Sequence, residues 1–125
     1  MGAQVPGLVP PATPAPWEKF TLLHMKHFLL FYDYVPDYLE RRSAHRAAHF
    51  AHLKPYLDRG EMFLAGACTD DGPPIGVLIF KVADRAVVED FARADPYMLN
   101  GVASAFRVRE WTTVAGRDAL TPVRL

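Results

Sequence analysis

The chain has 125 residues, half of them hydrophobic and 22% charged, and its 14 basic residues balance 14 acidic ones. This length accommodates one domain, and a balanced charge without a Lys/Arg run argues against nucleic acid as a partner. No apolar run reaches the roughly 18 residues of a membrane span and no signal peptide pattern opens the chain, so we expect a cytoplasmic protein with no membrane partner.

The first 24 residues contain five of the eleven prolines. Proline fixes φ and removes backbone donors, so this segment predicts an extended, flexible arm rather than an element of the fold. We expect the folded domain to cover residues 25–116, followed by a loose tail over 117–125.

Residues 26–34 (KHFLLFYDY) form an apolar, aromatic run of strand length. Asp37 and Glu40 then have the spacing of a helix N-cap pair, and Gly60 is a matching C-terminal stop. The pattern predicts one helix over most of residues 38–59. Pro55 lies inside it and is expected to kink the last turn.

Two further strands are predicted at 61–68 and 75–82, joined as a hairpin by the turn-rich sequence TDDGPP. Asp84 is a typical N-cap for a second helix, which Pro96 should end before a short turn. Alternating residues over 102–114 indicate a long final strand with one exposed face.

The predicted order of elements is β-α-β-β-α-β, the ferredoxin-like arrangement of an α+β domain. A domain of this size leaves much of one sheet face uncovered, and a second copy of the chain would cover it. We therefore expect a homodimer.

The first helix carries the most informative side chains. Phe50, Leu53 and Leu57 fall at helical spacing and predict a core-facing stripe, with Arg46 in its middle and His49 at its edge. A buried guanidinium needs a carboxylate partner, for which Asp33 and Asp95 are the nearest by topology. The alternatives are that Arg46 reaches the rim of the fold or binds a substrate anion.

Other single residues have both a functional and a structural interpretation. His45, His49 and His52 share one helical face and suggest a metal site, but one ion could contact only two of them. Cys68, the single cysteine, is a candidate nucleophile or a small core residue. Gly66 is expected where a ligand or a backbone segment approaches closely.

Several short motifs together resemble the YciI-like (YCII-related) family. They follow in the family's order from about Met25 to Val114, and they are Tyr32-Asp33, Arg46-Ala47-Ala48-His49 with Leu53, Leu64-Ala65-Gly66, Ala94-Asp95-Pro96-Tyr97 and Gly101-Val102. The resemblance implies a dimeric α+β barrel with a pocket between helices and sheet. It also implies a His-Asp pair, which falls on His49 and Asp95, and proton-transfer chemistry on a small cyclic or aromatic molecule.

The leading hypothesis is therefore a cofactor-free enzyme of the lyase, isomerase or dehydrohalogenase kind. His49 would act as general acid/base, Asp95 would orient it, and Arg46 with Tyr97 or Tyr32 would hold an oxyanion. Two further positions are expected to contact the small-molecule substrate, Asp33 and Gly66. The alternatives are a non-catalytic dimeric module that binds a metabolite and a structural interaction domain.

Overall fold

A computed structural model of the protein describes residues 24–125. The proline-rich arm predicted for residues 1–24 lies, except for His24, outside the described residues. In chain order the elements are β1 Lys26–Tyr34, α1 Tyr38–Arg41, a 3₁₀ turn Arg42–Ala44, α2 Arg46–Asp58, β2 Met62–Cys68, β3 Ile75–Val82, α3 Arg85–Ala94, α4 Pro96–Leu99 and β4 Ala103–Trp111.

The four strands form one antiparallel sheet in the order β2-β3-β1-β4. β1 lies in the interior of the sheet, where Leu30 is opposite Leu78 of β3 on one side and Val108 of β4 on the other. This order and the two helical crossovers confirm the predicted ferredoxin-like α+β fold.

The hydrophobic core lies between one face of the sheet and the helices. Side chains alternate along β1, so that Leu30 and Tyr32 point into this core while Phe31 and Asp33 point to the opposite face. Phe80 of β3 and Phe91 of α3 complete the centre of the core, with ring centroids 5.1 Å apart. The helix side of the sheet is therefore the buried side.

The first helical region differs from its prediction. It is divided into α1, a 3₁₀ turn and α2 instead of forming one helix, and Asp37 makes no side-chain cap. The Asp37 carboxylate instead accepts a hydrogen bond from Arg41, one turn further on. Gly60 ends the region as expected, because its φ of +77° is the left-handed conformation that glycine adopts readily.

The predicted core stripe of this helix is only partly correct. Leu53 is buried, but Phe50 and Leu57 are 49% and 45% exposed, and His49 faces the core in their place. Hydrophobicity alone would place Phe50 inside. A buried imidazole is acceptable here because it is hydrogen-bonded by Asp95, so α2 turns its His49 side toward the sheet.

The second half of the domain follows its prediction more closely. Asp84 caps α3 by accepting the backbone N–H of Ala86. Pro96 ends this helix but also begins the one-turn helix α4, where a turn was expected.

The C-terminal segment is not loose as predicted, since Thr121 and Val123 bond back to the backbone of Thr113 and Val114. No helix within residues 24–125 is long and apolar enough to cross a membrane.

Candidate functional site

A cavity of about 150 Å³ opens between the first helical region, α4 and the end of β2. An apolar cavity of this volume in another protein holds one benzene molecule, so the space suits a single six-membered ring. Its lining combines aromatic, basic and very small side chains: Tyr34, Tyr38, Arg42, Arg46, His49, Phe50, Leu53, Ala65, Gly66, Ala67, Leu78 and Tyr97.

Asp95 is placed by the local sequence Asp-Pro-Tyr. Pro96 has no N–H to satisfy and occupies the first position of α4, so the Asp95 side chain becomes the helix cap and accepts the Tyr97 N–H at 2.9 Å. The cap also brings the carboxylate over the sheet, where it is completely buried. A buried carboxylate must be satisfied by several donors.

Two further donors reach the same carboxylate. The His49 Nδ1 atom lies 2.8 Å from Asp95 Oδ1 and 3.0 Å from Oδ2, and the Tyr32 hydroxyl donates to Oδ2 at 2.6 Å. With the Tyr97 N–H, Asp95 thus accepts hydrogen bonds from α2, β1 and α4 at once. The carboxylate holds three elements together as well as orienting the histidine.

This arrangement fixes the tautomer and the plane of His49. A carboxylate can only accept, so Nδ1 carries the proton and Nε2 presents a lone pair. The Tyr97 ring stacks on the imidazole with centroids 3.8 Å apart and planes 6° apart. Within residues 24–125 no group forms a hydrogen bond with the His49 Nε2 atom, and this atom is accessible to solvent. His49 also lines the cavity. Nε2 is therefore the atom available to a ligand.

Two tyrosines of the cavity, Tyr34 and Tyr97, remain protonated. Burial is the main cause that raises the pKa of Tyr97, and Tyr38 raises it further, while Arg46 and Arg42 act in the opposite direction. Burial and the neighbouring Tyr38 likewise raise the pKa of Tyr34. At neutral pH these two phenols are therefore hydrogen-bonding groups and not bases.

Two guanidinium groups border the cavity without a carboxylate partner among the described residues. Arg42 donates to the Tyr38 hydroxyl at 3.2 Å, and the Arg46 guanidinium lies over the Phe50 ring, 5.1 Å from its centroid. The expectation that Arg46 lies in the core and pairs with Asp33 or Asp95 is wrong. Arg46 is exposed at the rim, which was the alternative interpretation, and its charge is free for an anionic ligand.

The structure brings only some of the predicted site residues together at the cavity. His49, Arg46, Gly66 and Tyr97 line one cavity. Tyr32 and Asp95 are completely buried and do not line the cavity, so they act on a ligand only through His49. Asp33 lies on the opposite face of the sheet, where it pairs with Arg107 at 3.1 Å, so the structure removes it from the site.

Sequence reasoning missed Arg42, Tyr34 and Tyr38. Tyr34 and Tyr38 stack with centroids 3.9 Å apart, and Gly76 lies beneath the Tyr34 ring, where any Cβ would collide with the hydroxyl. Arg42 and Arg46 border the same rim of the cavity. The signal for Arg42 was its spacing of four residues from Arg46, which places two side chains on one face of a helix.

The metal and cysteine interpretations find no support in the geometry. His52 is half-buried, and its Nε2 lies 2.8 Å from the Phe91 carbonyl oxygen. No group of three or more potential ligands for a metal ion occurs within residues 24–125. Cys68 is exposed at the end of β2 and not a core residue.

The fold and the site together define a ferredoxin-like α+β protein with a buried His-Asp pair on the helix side of its sheet. The model of the YCII-related domain family matches residues 25–112. The chain therefore belongs to the YCII-related domain family, as the order of its motifs indicated.

Solved structures give the same fold. A 5-chloro-2-hydroxyhydroquinone dehydrochlorinase from Burkholderia phenoliruptrix AC1100, in complex with 2,5-dihydroxybenzoquinone, is 24% identical and has a TM-score of 0.61. The similarity covers 70% of this chain and 94% of that one.

A Caulobacter crescentus CB15 protein assigned provisionally as an antibiotic biosynthesis monooxygenase is 11% identical, with a TM-score of 0.43 over 79% of this chain and 98% of that one. A search of curated proteins finds no match.

Proposed function

We propose that this protein is an enzyme in which His49, oriented by Asp95, transfers a proton to or from a small anionic ring compound. The observation that carries the proposal is the buried 2.8 Å bond between His49 Nδ1 and Asp95, which leaves Nε2 facing a cavity of single-ring size. A histidine that a carboxylate orients toward a cleft is a typical arrangement of catalytic sites.

The roles follow from the geometry. Nε2 takes a proton from a ring carbon or hydroxyl group, and Asp95 stabilises the resulting imidazolium. Arg42 and Arg46 hold the negative oxygen of the substrate, which attracts the ring toward the His49 side of the cavity. Tyr97 keeps the imidazole plane fixed by stacking, and Tyr32 fixes the carboxylate from below.

The reaction class is elimination or isomerisation. In an elimination, Nε2 removes a proton, the electron pair left on carbon forms a double bond, and a leaving group such as halide departs with its own electron pair. In an isomerisation, the same proton returns at another ring position. Neither reaction has net electron transfer, so no redox cofactor is required.

We further propose that the protein is a homodimer formed through the open face of its sheet. Leu29 and Val77 lie at the centre of this face, and Leu64 at its edge is 62% exposed. A contiguous apolar surface of this kind is typical of a subunit interface.

The first experiment is a substrate screen with phenols, lactones and halogenated ring compounds, including hydroxylated benzoquinones. Product formation should be measured for wild type and for His49→Ala. We expect turnover by wild type and a loss of roughly 100-fold to 10,000-fold in the variant. Equal turnover by the two proteins would refute the role of His49, and binding without turnover of any compound would favour a metabolite-binding module.

A further inference from the structure

Strand β2 forms one edge of the sheet, and the second half of this strand carries unusually small side chains. Within it the sequence Ala65-Gly66-Ala67 follows the large side chains of Phe63 and Leu64. All three small residues line the cavity, and all three are exposed. The substrate cavity is therefore bounded on this side by a strand edge and not by bulky side chains.

The ladder shows which backbone groups on this edge are free. The Lys81 N–H donates to the Glu61 carbonyl, and the Pro74 carbonyl accepts from the Tyr34 N–H of β1. The backbone N–H and C=O groups of odd-numbered residues of β3 therefore point to β2, and those of even-numbered residues point to β1. Ala65 is opposite Leu78 and Ala67 is opposite Gly76, both even-numbered. The N–H and C=O groups of Ala65 and Ala67 therefore point away from the sheet.

The same register places the two alanine methyl groups. Residues directly opposite each other have their side chains on the same face of a sheet, and Leu78 belongs to the buried helix-side core. The Ala65 and Ala67 methyl groups consequently project on the cavity side, while Leu64 and Cys68 project on the open side. Any larger side chain at position 65 or 67 would occupy space that a ligand needs.

We propose that the edge of β2 is the wall that selects the substrate, and this inference rests on the function proposed above. The two methyl groups limit the substrate to one planar ring. The free backbone groups of Ala65 and Ala67 hydrogen-bond an oxygen substituent on the ring edge remote from the two arginines. The preferred class is thus a single-ring anion with a second hydroxyl or carbonyl oxygen.

The test uses calorimetric binding with three probes. These are 2,5-dihydroxybenzoate, its methyl analogue 2-hydroxy-5-methylbenzoate and the two-ring 3-hydroxy-2-naphthoate. We expect wild type to bind the dihydroxy compound at least about tenfold more tightly than either of the others, because a site that hydrogen-bonds an oxygen rejects the analogue lacking it. Ala67→Gly should raise the relative affinity for the naphthoate.

Ala65→Val and Ala67→Val should each weaken binding of 2,5-dihydroxybenzoate by about tenfold or more, because added methyl groups overfill the cavity. Valine suits a strand, so folding should persist. The matched control is Ala105→Val, an exposed alanine on the other edge strand and on the open face, which should bind as wild type does.

The outcomes separate this inference from the proposed function. Unchanged affinity in Ala65→Val and Ala67→Val, or equal binding of all three probes by wild type, would overturn the selecting wall while leaving the His-Asp chemistry standing. Failure of wild type to bind any of the three anions would contradict the proposed function and this inference with it.

Discussion

Replacing Asp95 by Asn tests the orienting role of this carboxylate with little change of shape. The amide oxygen can still accept from the Tyr97 N–H, and the Tyr32 hydroxyl can turn to accept from the amide N–H. What is lost is the unambiguous acceptor for His49 Nδ1. An amide can also donate to Nδ1, which would move the proton to Nε2 and remove the catalytic lone pair.

The expected magnitudes differ for activity and stability. Loss of the correct tautomer in an analogous carboxylate–histidine pair lowers kcat by about 10⁴, so we expect a fall of roughly 100-fold to 10,000-fold here. Exchanging charge-assisted hydrogen bonds for neutral ones should destabilise the fold by about 1–3 kcal/mol.

Asp95→Ala would be a poor test of the same role. It would strand three buried donors at about 1–3 kcal/mol each, a large part of a domain's total stability of about 5–15 kcal/mol.

The tautomer can be measured without a substrate. The ¹⁵N chemical shifts of the His49 ring at neutral pH should show Nδ1–H in wild type and a shift toward Nε2–H in Asp95→Asn. The matched control is Asp90→Asn, because Asp90 is an exposed carboxylate that pairs only loosely with Arg93. An Nε2–H tautomer in wild type, or wild-type turnover by Asp95→Asn, would refute the reasoning.

Three further predictions concern charge, pH and assembly. Arg42→Gln and Arg46→Gln should each weaken binding of an anionic ring by roughly 10-fold to 100-fold with little change in melting temperature, whereas Arg41→Gln, whose partner is Asp37, should bind normally. A large fall in the melting temperature of Arg46→Gln would instead support the core position that was expected for Arg46. Burial and Lys81 lower the pKa of His27 below its ordinary 6.5, although Asp118 opposes them, so the unfolded chain binds more protons below that pH and stability should fall on acidification. Denaturant unfolding of His27→Gln between pH 7 and pH 5 should show a smaller loss than wild type, and an identical loss would contradict the assignment. Light scattering should give about twice the mass of one chain, and Val77→Lys on the open face should shift the protein to a monomer; a wild-type monomer at micromolar concentration would disprove the dimer.

Apolar runs of strand length and turn signals were sufficient to predict most of the strands. Lys26–Tyr34 and Ile75–Val82 have the bounds expected from their apolar runs. The first helical region could not be predicted as well. The face that α2 turns to the sheet depends on the tertiary contact of His49 with Asp95, which a local capping pattern does not register.

The candidate site was predicted from the order of the family motifs and not from the hydrophobicity or charge of its residues. The helical spacing of the hydrophobic residues predicted that Arg46 lies inside the core stripe and that His49 lies at its edge. The buried residue is His49, because Asp95, 46 residues away, forms a hydrogen bond with it. Asp33 was expected at the site because it belongs to the Tyr32-Asp33 motif and lies near Arg46 by topology. Neighbours in a strand point to opposite faces, so only one of the two could reach Asp95.

The central claim is that His49 and Asp95 act as one unit in proton transfer. Single-turnover rates should be measured for His49→Ala, Asp95→Asn and the double variant with a substrate found in the screen, on proteins shown to be folded by circular dichroism. Members of one catalytic unit are strongly non-additive, so the double variant should be scarcely slower than His49→Ala alone. Losses that multiply, or a His49→Ala variant as fast as wild type, would contradict the claim.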